Sequence, residues 1–231
     1  MMFFRQLQGE LKKLFARKRT YIGYVVFLIF EALLLSLWIY VGREQFEDLA
    51  KRNFIPVELL SSSLTATYWI MGFSMFLLGS IYFALVAGDI VAKETEDGNM
   101  RMVLSRPVSR LRILVLKYCA VLIYTVTFVI FVGLTGYGMA LFAMGGDGGL
   151  FVWNPEMYIL AVYPDRDEAF QRLFTGACFM GLSMCVVTSL GFFFSCLKIK
   201  PAAASVMALS VFFIDFFCRT FHFWQTIKTS L

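Results

Sequence analysis

Long apolar runs broken by short charged segments dominate the chain between Tyr21 and Phe221. Five of them, about 21–41, 64–88, 113–142, 173–197 and 202–221, each provide the ~20 residues that an α-helix needs to cross ~30 Å of hydrocarbon. A membrane β-barrel would instead show alternation of apolar and polar residues over segments of ~10 residues, and no such alternation is present. The pattern therefore predicts an all-α, polytopic transmembrane helical bundle.

Ahead of the first run, residues 3–19 place Leu7, Leu11, Leu14 and Phe15 at helical spacing, opposite Arg5, Lys12 and Lys13. Such a basic amphipathic helix suits an anionic membrane surface. Two regions follow: a cytoplasmic amphipathic helix over 1–20 and a transmembrane domain over 21–231. Between the spans lie a mixed-charge loop over 42–63, a charged loop over 89–112, an outer segment over 143–172 and the tight turn KIKP. The outer segment combines the glycines 145, 146, 148 and 149 with the interfacial aromatics Trp153, Tyr158 and Tyr163.

Composition agrees with the pattern. The 231 residues are 59% hydrophobic and 16% charged, and the mean hydropathy of +0.73 lies outside the range of a soluble domain. A net charge of +5 would suit nucleic acid, but the charges fall at the membrane boundaries, so no nucleic-acid partner is expected. Fourteen Lys and Arg residues lie on the side of the N-terminus and seven on the other, which predicts a cytoplasmic N-terminus in the inner (plasma) membrane. No small-residue cleavage site follows the first run, so it reads as a retained span. The five cysteines show no CxxC or Cys/His spacing, so small packed thiols are expected, with no metal site.

Candidate chemistry concentrates in the loop after the second span. Asp89, Glu94, Glu96 and Asp97 precede Gly98, and basic residues follow. A short helix from Asp97 to Ser105 would carry acid at its positive end and stop before Pro107. Charge alone supports only a solvated positive-inside loop. The wording GDIVAKETEDGNMRMVLSRPVSRLRILVLKY is more specific, and it resembles the signature of the ABC-2 type permeases, the membrane subunits of ABC exporters. The matching residues are Glu94, Glu96, Gly98, Leu104, Ser105, Arg106, Pro107, Val108, Ser109, Arg110 and Lys117. Asn99 and Met100 stand where the family often has Thr and Leu.

The resemblance implies that this loop is a coupling helix seated on a separate cytoplasmic ABC ATPase dimer. Glu94, Glu96, Asp97, Gly98, Asn99, Arg101, Arg106, Pro107 and Arg110 are then the candidate contacts. ATP and Mg would be held by that partner, since the chain has no GxxxxGK phosphate loop followed by Ser or Thr and binds no cofactor of its own. By itself the chain is not expected to be an enzyme. The resemblance further implies a second permease subunit, either a homodimer partner or a related chain, and six spans, so that a sixth is expected beyond Leu231. The function so implied is ATP-driven export. The alternative is a non-transporting membrane subunit that transmits ATPase motion to a periplasmic partner, with 42–63 and 143–172 as docking surfaces.

Two carboxylates lie within the spans. Glu31, near the middle of the first, would cost roughly 2.5–3.5 kcal/mol there if charged and unpaired. It should face the interior, either lining a translocation path or making a helix-to-helix hydrogen bond. Asp215 stands four residues before Arg219, the spacing of a helical ion pair. An intramembrane enzyme built on Glu31 and Asp215 is a third reading. Stripes of small residues, Ser80, Ala84 and Gly88 on one span and Ala177, Gly181, Cys185 and Ser189 on another, predict close helix packing. His222, among aromatics, reads as an interfacial anchor, and a single histidine leaves no catalytic base for a nucleophile.

Overall fold

The computed structural model describes residues 2–16, 18–42, 62–96, 98, 109–146, 148–154, 159–197 and 199–230. In chain order the elements are α1 (Met2–Phe15), α2 (Lys18–Leu37), α3 (Ser63–Ser74), α4 (Ser80–Glu96), α5 (Arg110–Met144), β1 (Leu150–Asn154), β2 (Ile159–Tyr163), α6 (Arg166–Ser195) and α7 (Pro201–Ser230). A π-helical turn, Trp38–Gly42, extends α2, and another, Met75–Gly79, joins α3 to α4.

Among the described residues, five helices are long and apolar enough to cross a membrane: Thr20–Gly42, Ser63–Glu96, Arg110–Met144, Arg166–Ser195 and Pro201–Cys218. The fold is the expected all-α polytopic helical bundle. Large apolar side chains such as Ile22, Ile29, Leu134, Phe179 and Val206 are exposed along these helices. Water tolerates such faces poorly and hydrocarbon accepts them.

Three features differ from expectation. The helix of the second span runs on past residue 88 to Glu96, so Asp89, Glu94 and Glu96 occupy helical turns and not a loop. Good helix formers (Ala92, Lys93, Glu94) carry it past the apolar stretch. The fourth helix begins at Arg166, before the expected 173, with Asp167 and Glu168 in its first turn, where acid complements the helix dipole. The outer segment contains an antiparallel hairpin that was not foreseen, pairing Leu150 with Tyr163 and Asn154 with Ile159. The loop expected over 42–63 lies almost wholly outside the described residues, as does the short helix expected from Asp97 to Ser105.

The chain divides into two compact units. One comprises Met1–Gly23, Leu77–Phe128 and Leu182–Leu231, the other Tyr24–Phe76 and Val129–Gly181. In the first, Phe83 packs edge-on against Phe128, 5.6 Å between ring centroids, and the Tyr82 and Tyr124 hydroxyls are 2.5 Å apart. Ala84, Val187 and Ala208 form a small-residue contact among α4, α6 and α7. A Cβ on Gly191 would stand 2.9 Å from Ala87 Cβ, and one on Gly88 would run into Ser205, so the small-residue stripe of α4 is where neighbouring helices approach. Hydrogen bonds add specificity between α5 and α6, from Tyr118 to Ser189 at 2.9 Å and from Thr125 to Thr188 at 3.0 Å.

In the second unit, one buried cluster joins Leu35, Ala66, Ile70 and Ala140, and another joins Leu64, Leu150, Ala169 and Leu173. The hairpin is fastened to α3 through Thr65, whose Oγ1 accepts from Phe151 N at 3.0 Å. Ser62 caps α3, its Oγ accepting from Leu64 N at 3.1 Å. Gly148, at φ +115°, lies so close to this cap that an added Cβ would stand 2.7 Å from Ser62 Cβ, a position that both conformation and space reserve for glycine.

Candidate coupling site and the buried carboxylates

The expected coupling loop is held at both ends by described structure. On its near side, α4 ends at Glu96, and Gly98 follows at φ +74°, with its N–H donating to Thr95 O at 3.2 Å. Left-handed glycine just past a helix end is a common stop signal, and it gives the glycine of the signature a physical role. On the far side, α5 starts at Arg110. Glu96 and Arg110 are both exposed, flanking the connector. Asp97, Asn99, Arg101, Arg106 and Pro107 lie outside the described residues.

Glu94 has a different placement from Glu96. Its Oε2 lies 2.7 Å from Lys117 Nζ, and its side chain is 15% exposed. Lys117, seven residues into α5 and only 4% exposed in its side chain, also donates to Glu10 Oε2 of α1 at 3.1 Å. Glu10 in turn accepts from Lys13 at 2.6 Å through its other oxygen. One buried ammonium thus joins the end of α4, the first turns of α5 and the amphipathic α1. Burial opposes ionisation of Glu10, but the hydrogen bond from Lys13 and the charge and hydrogen bond of Lys117 prevail and hold its carboxyl below the ordinary value.

Local structure sets this geometry. Leu14 is buried one turn beyond Glu10, so the apolar face of α1 turns the glutamate inward. At the junction with α2, Thr20 Oγ1 donates to Leu14 O at 2.6 Å and closes the end of α1. Removing one member of such a buried group leaves the remaining charges less well compensated, at roughly 3–5 kcal/mol, so the cluster fixes an arrangement more than it adds stability.

Sequence reasoning did not foresee this clasp. From the sequence, Glu94 is a candidate partner contact and Lys117 only the lysine that begins a span. Two signals were readable: Glu10 is the sole acidic residue among the first nineteen, and Lys117 stands inside an apolar run.

Glu31 is fully buried on α2, and its Oε2 accepts from Thr135 Oγ1 of α5 at 2.7 Å. The same hydroxyl lies 2.9 Å from Phe131 O and 3.2 Å from Val132 O, so three acceptors compete for one proton. The structure therefore places Glu31 in a helix-to-helix hydrogen bond. Asp215 is exposed on α7, and the side chain of its expected partner Arg219 lies outside the described residues, as does that of His222. Among the described residues no group of three His, Cys, Asp or Glu side chains is arranged to hold a metal ion.

Membrane-length helices with apolar outward faces define a multi-pass membrane protein. Residues 7–224 match the family described as ABC-2 family transporter protein. The chain belongs to that family. It is also similar to the "Uncharacterized protein YhcI" of Bacillus subtilis (strain 168), 33% identical over 73 residues. That stretch is 31% of this chain and 23% of the relative, so the chain covers less than a quarter of the relative's length. No solved structure matches.

Proposed function

We propose that the connector between α4 and α5 is the docking element for a separate cytoplasmic ABC ATPase dimer. ATP and Mg are held by that dimer, and its motion drives outward movement of a substrate. The N-terminus is cytoplasmic, in the inner (plasma) membrane, and two permease subunits, identical or related, complete the assembly.

The observation that carries this reading is the Glu10–Lys117–Glu94 clasp. A connector anchored only by its own chain would flex when pushed. One whose two flanking helices and an interfacial helix share a buried cation moves them as a body, which rigid-body rocking between two access states requires. Glu96 and Arg110, exposed at the two ends, are the partner-facing charges. Replacing both by opposite charge, Glu96→Lys with Arg110→Glu, should abolish copurification of the ATPase while leaving the permease monodisperse. Unchanged copurification and unchanged hydrolysis would sink the docking claim.

The β1–β2 hairpin favours a second reading, in which the same motion reaches a periplasmic protein instead of a transported substrate. An ordered hairpin fastened through Thr65 is a suitable docking element. ATPase stimulation in reconstituted vesicles separates the two: stimulation by a small substrate supports export, and stimulation only by another protein supports transmission.

A further inference from the structure

A cavity of about 620 Å³ opens beside the clasp, within the same compact unit. Its walls are the end of α1, Thr20 at the start of α2, α4 from Tyr82 to Glu96, Tyr124 of α5 and the start of α7. The volume lies in the range of ligand sites, ~300–1,000 Å³. Its lining is of two kinds. Leu14, Leu85 and Val86 are apolar, whereas Asp89, Lys93 and Lys200 bring charge of both signs, with Glu96 at the rim.

The two kinds are ordered along one helix line. Leu77 of the π-helical turn and Ile81 and Leu85 of α4, four residues apart, are 46%, 42% and 48% exposed, and this apolar row leads through successive turns of α4 to Asp89 and Lys93. Opposite them, Pro201 opens α7, whose first N–H groups and positive dipole end add to the charge of Lys200. Neither Lys93 nor Lys200 is in an ion pair among the described residues. A simple anion would meet Asp89 and Glu96, and a simple cation would meet both lysines. A ligand with phosphate and amine in one head, carrying an apolar tail, satisfies every wall.

We propose that this cavity binds the head group of a zwitterionic, primary-amine phospholipid drawn from the surrounding bilayer. The phosphate sits between Lys93, Lys200 and the start of α7, the amine faces Asp89, and an acyl chain lies along Leu77, Ile81 and Leu85. The ordered change from apolar to charged lining is what separates this site from a lipid-coated surface, which would take any head group.

The test uses the full chain in nanodiscs containing trace photoactivatable phosphatidylethanolamine or phosphatidylglycerol, with adducts mapped by mass spectrometry. The expected result is labelling of residues 77–96 and 200–205 by the ethanolamine lipid about tenfold above the glycerol lipid, since charge-assisted hydrogen bonds of ~1.5 kcal/mol are at stake. Lys93→Glu with Lys200→Glu should remove the labelling, and Asp89→Asn should narrow the preference. Lys93→Gln with Lys200→Gln serves if charge reversal disturbs folding, checked by gel filtration. Equal or stronger labelling by phosphatidylglycerol, or labelling unchanged in the lysine variants, overturns the proposal. Neither readout involves the ATPase, so this result stands apart from the docking claim.

Discussion

Lys117 Nζ lies 2.7 Å from Glu94 Oε2, joining the helix that enters the signature connector to the helix that leaves it. The same ammonium holds Glu10 of the N-terminal helix at 3.1 Å. A cation this well buried is tolerated because two carboxylates meet it.

Truncating the cation should therefore cost more than removing the whole group. Lys117→Met alone removes the cation that Glu94 and Glu10 share and is expected to lower stability by roughly 3 kcal/mol, with Lys117→Met, Glu94→Gln and Glu10→Gln together recovering much of it. Thermal unfolding in detergent, read by a fluorescent thiol probe, measures both. If the triple variant is as unstable as the single one, the clasp does not operate as a unit.

Acid should release α1. The carboxyl of Glu10 titrates below its ordinary value in the folded chain, so its contribution is complete above ~4.3, the unperturbed glutamate value, and is lost as pH falls through the lowered one. A nitroxide on Gly9→Cys, where nothing lies within 4 Å of an added Cβ, reports on this helix. Its mobility should stay low near neutrality and rise on acidification, whereas in Glu10→Gln it should be raised throughout. Identical pH profiles in the two proteins would remove Glu10 from the explanation.

How Glu31 is used can be separated from whether it is charged. Glu31→Gln keeps a group able to accept from Thr135 Oγ1 at the observed 2.7 Å, so stability within ~1 kcal/mol of the parent is expected. Glu31→Ala removes that hydrogen bond and leaves a cavity in a fully buried site, and a loss of ~2–4 kcal/mol is expected. Equal losses in both variants would mean that the ionised carboxylate, and not the hydrogen bond, is required.

The glycine that ends α4 is open to a sharper comparison. Gly98 has nothing within 4 Å of an added Cβ, so Gly98→Ala tests conformation without crowding. At φ +74° the alanine should cost ~1–2 kcal/mol locally, and asparagine, which tolerates that region, should cost less. Hydrogen exchange of Thr95 and Glu96 measures the fraying. Equal protection in all three proteins would show that this backbone conformation is not what stops the helix.

The spans were legible because hydrocarbon thickness fixes how long an apolar run must be, and five runs met it. Their ends were less so. Charge at Asp89, Glu94 and Glu96 marks where the apolar run stops, but the helix continues to Glu96. The hairpin escaped notice because LFVWN and ILAVY read equally as interfacial aromatic segments, and no two-residue turn signal separates them. Least legible was the clasp, since Glu10 and Lys117 are 107 residues apart and no local periodicity encodes such a pair. The signature named Glu94 and Lys117, and packing then turned both toward each other.

The most direct test of docking at the connector is a photocrosslinking amino acid placed at Glu96 or Arg110, with Asp165, exposed just before α6, as the control position. In cells, positions 96 and 110 should each give an adduct identified as an ABC ATPase, and position 165 should give none. An ATPase adduct absent from both connector positions, or equally strong at 165, would contradict the assignment of the connector as the site where ATP-driven motion enters this protein.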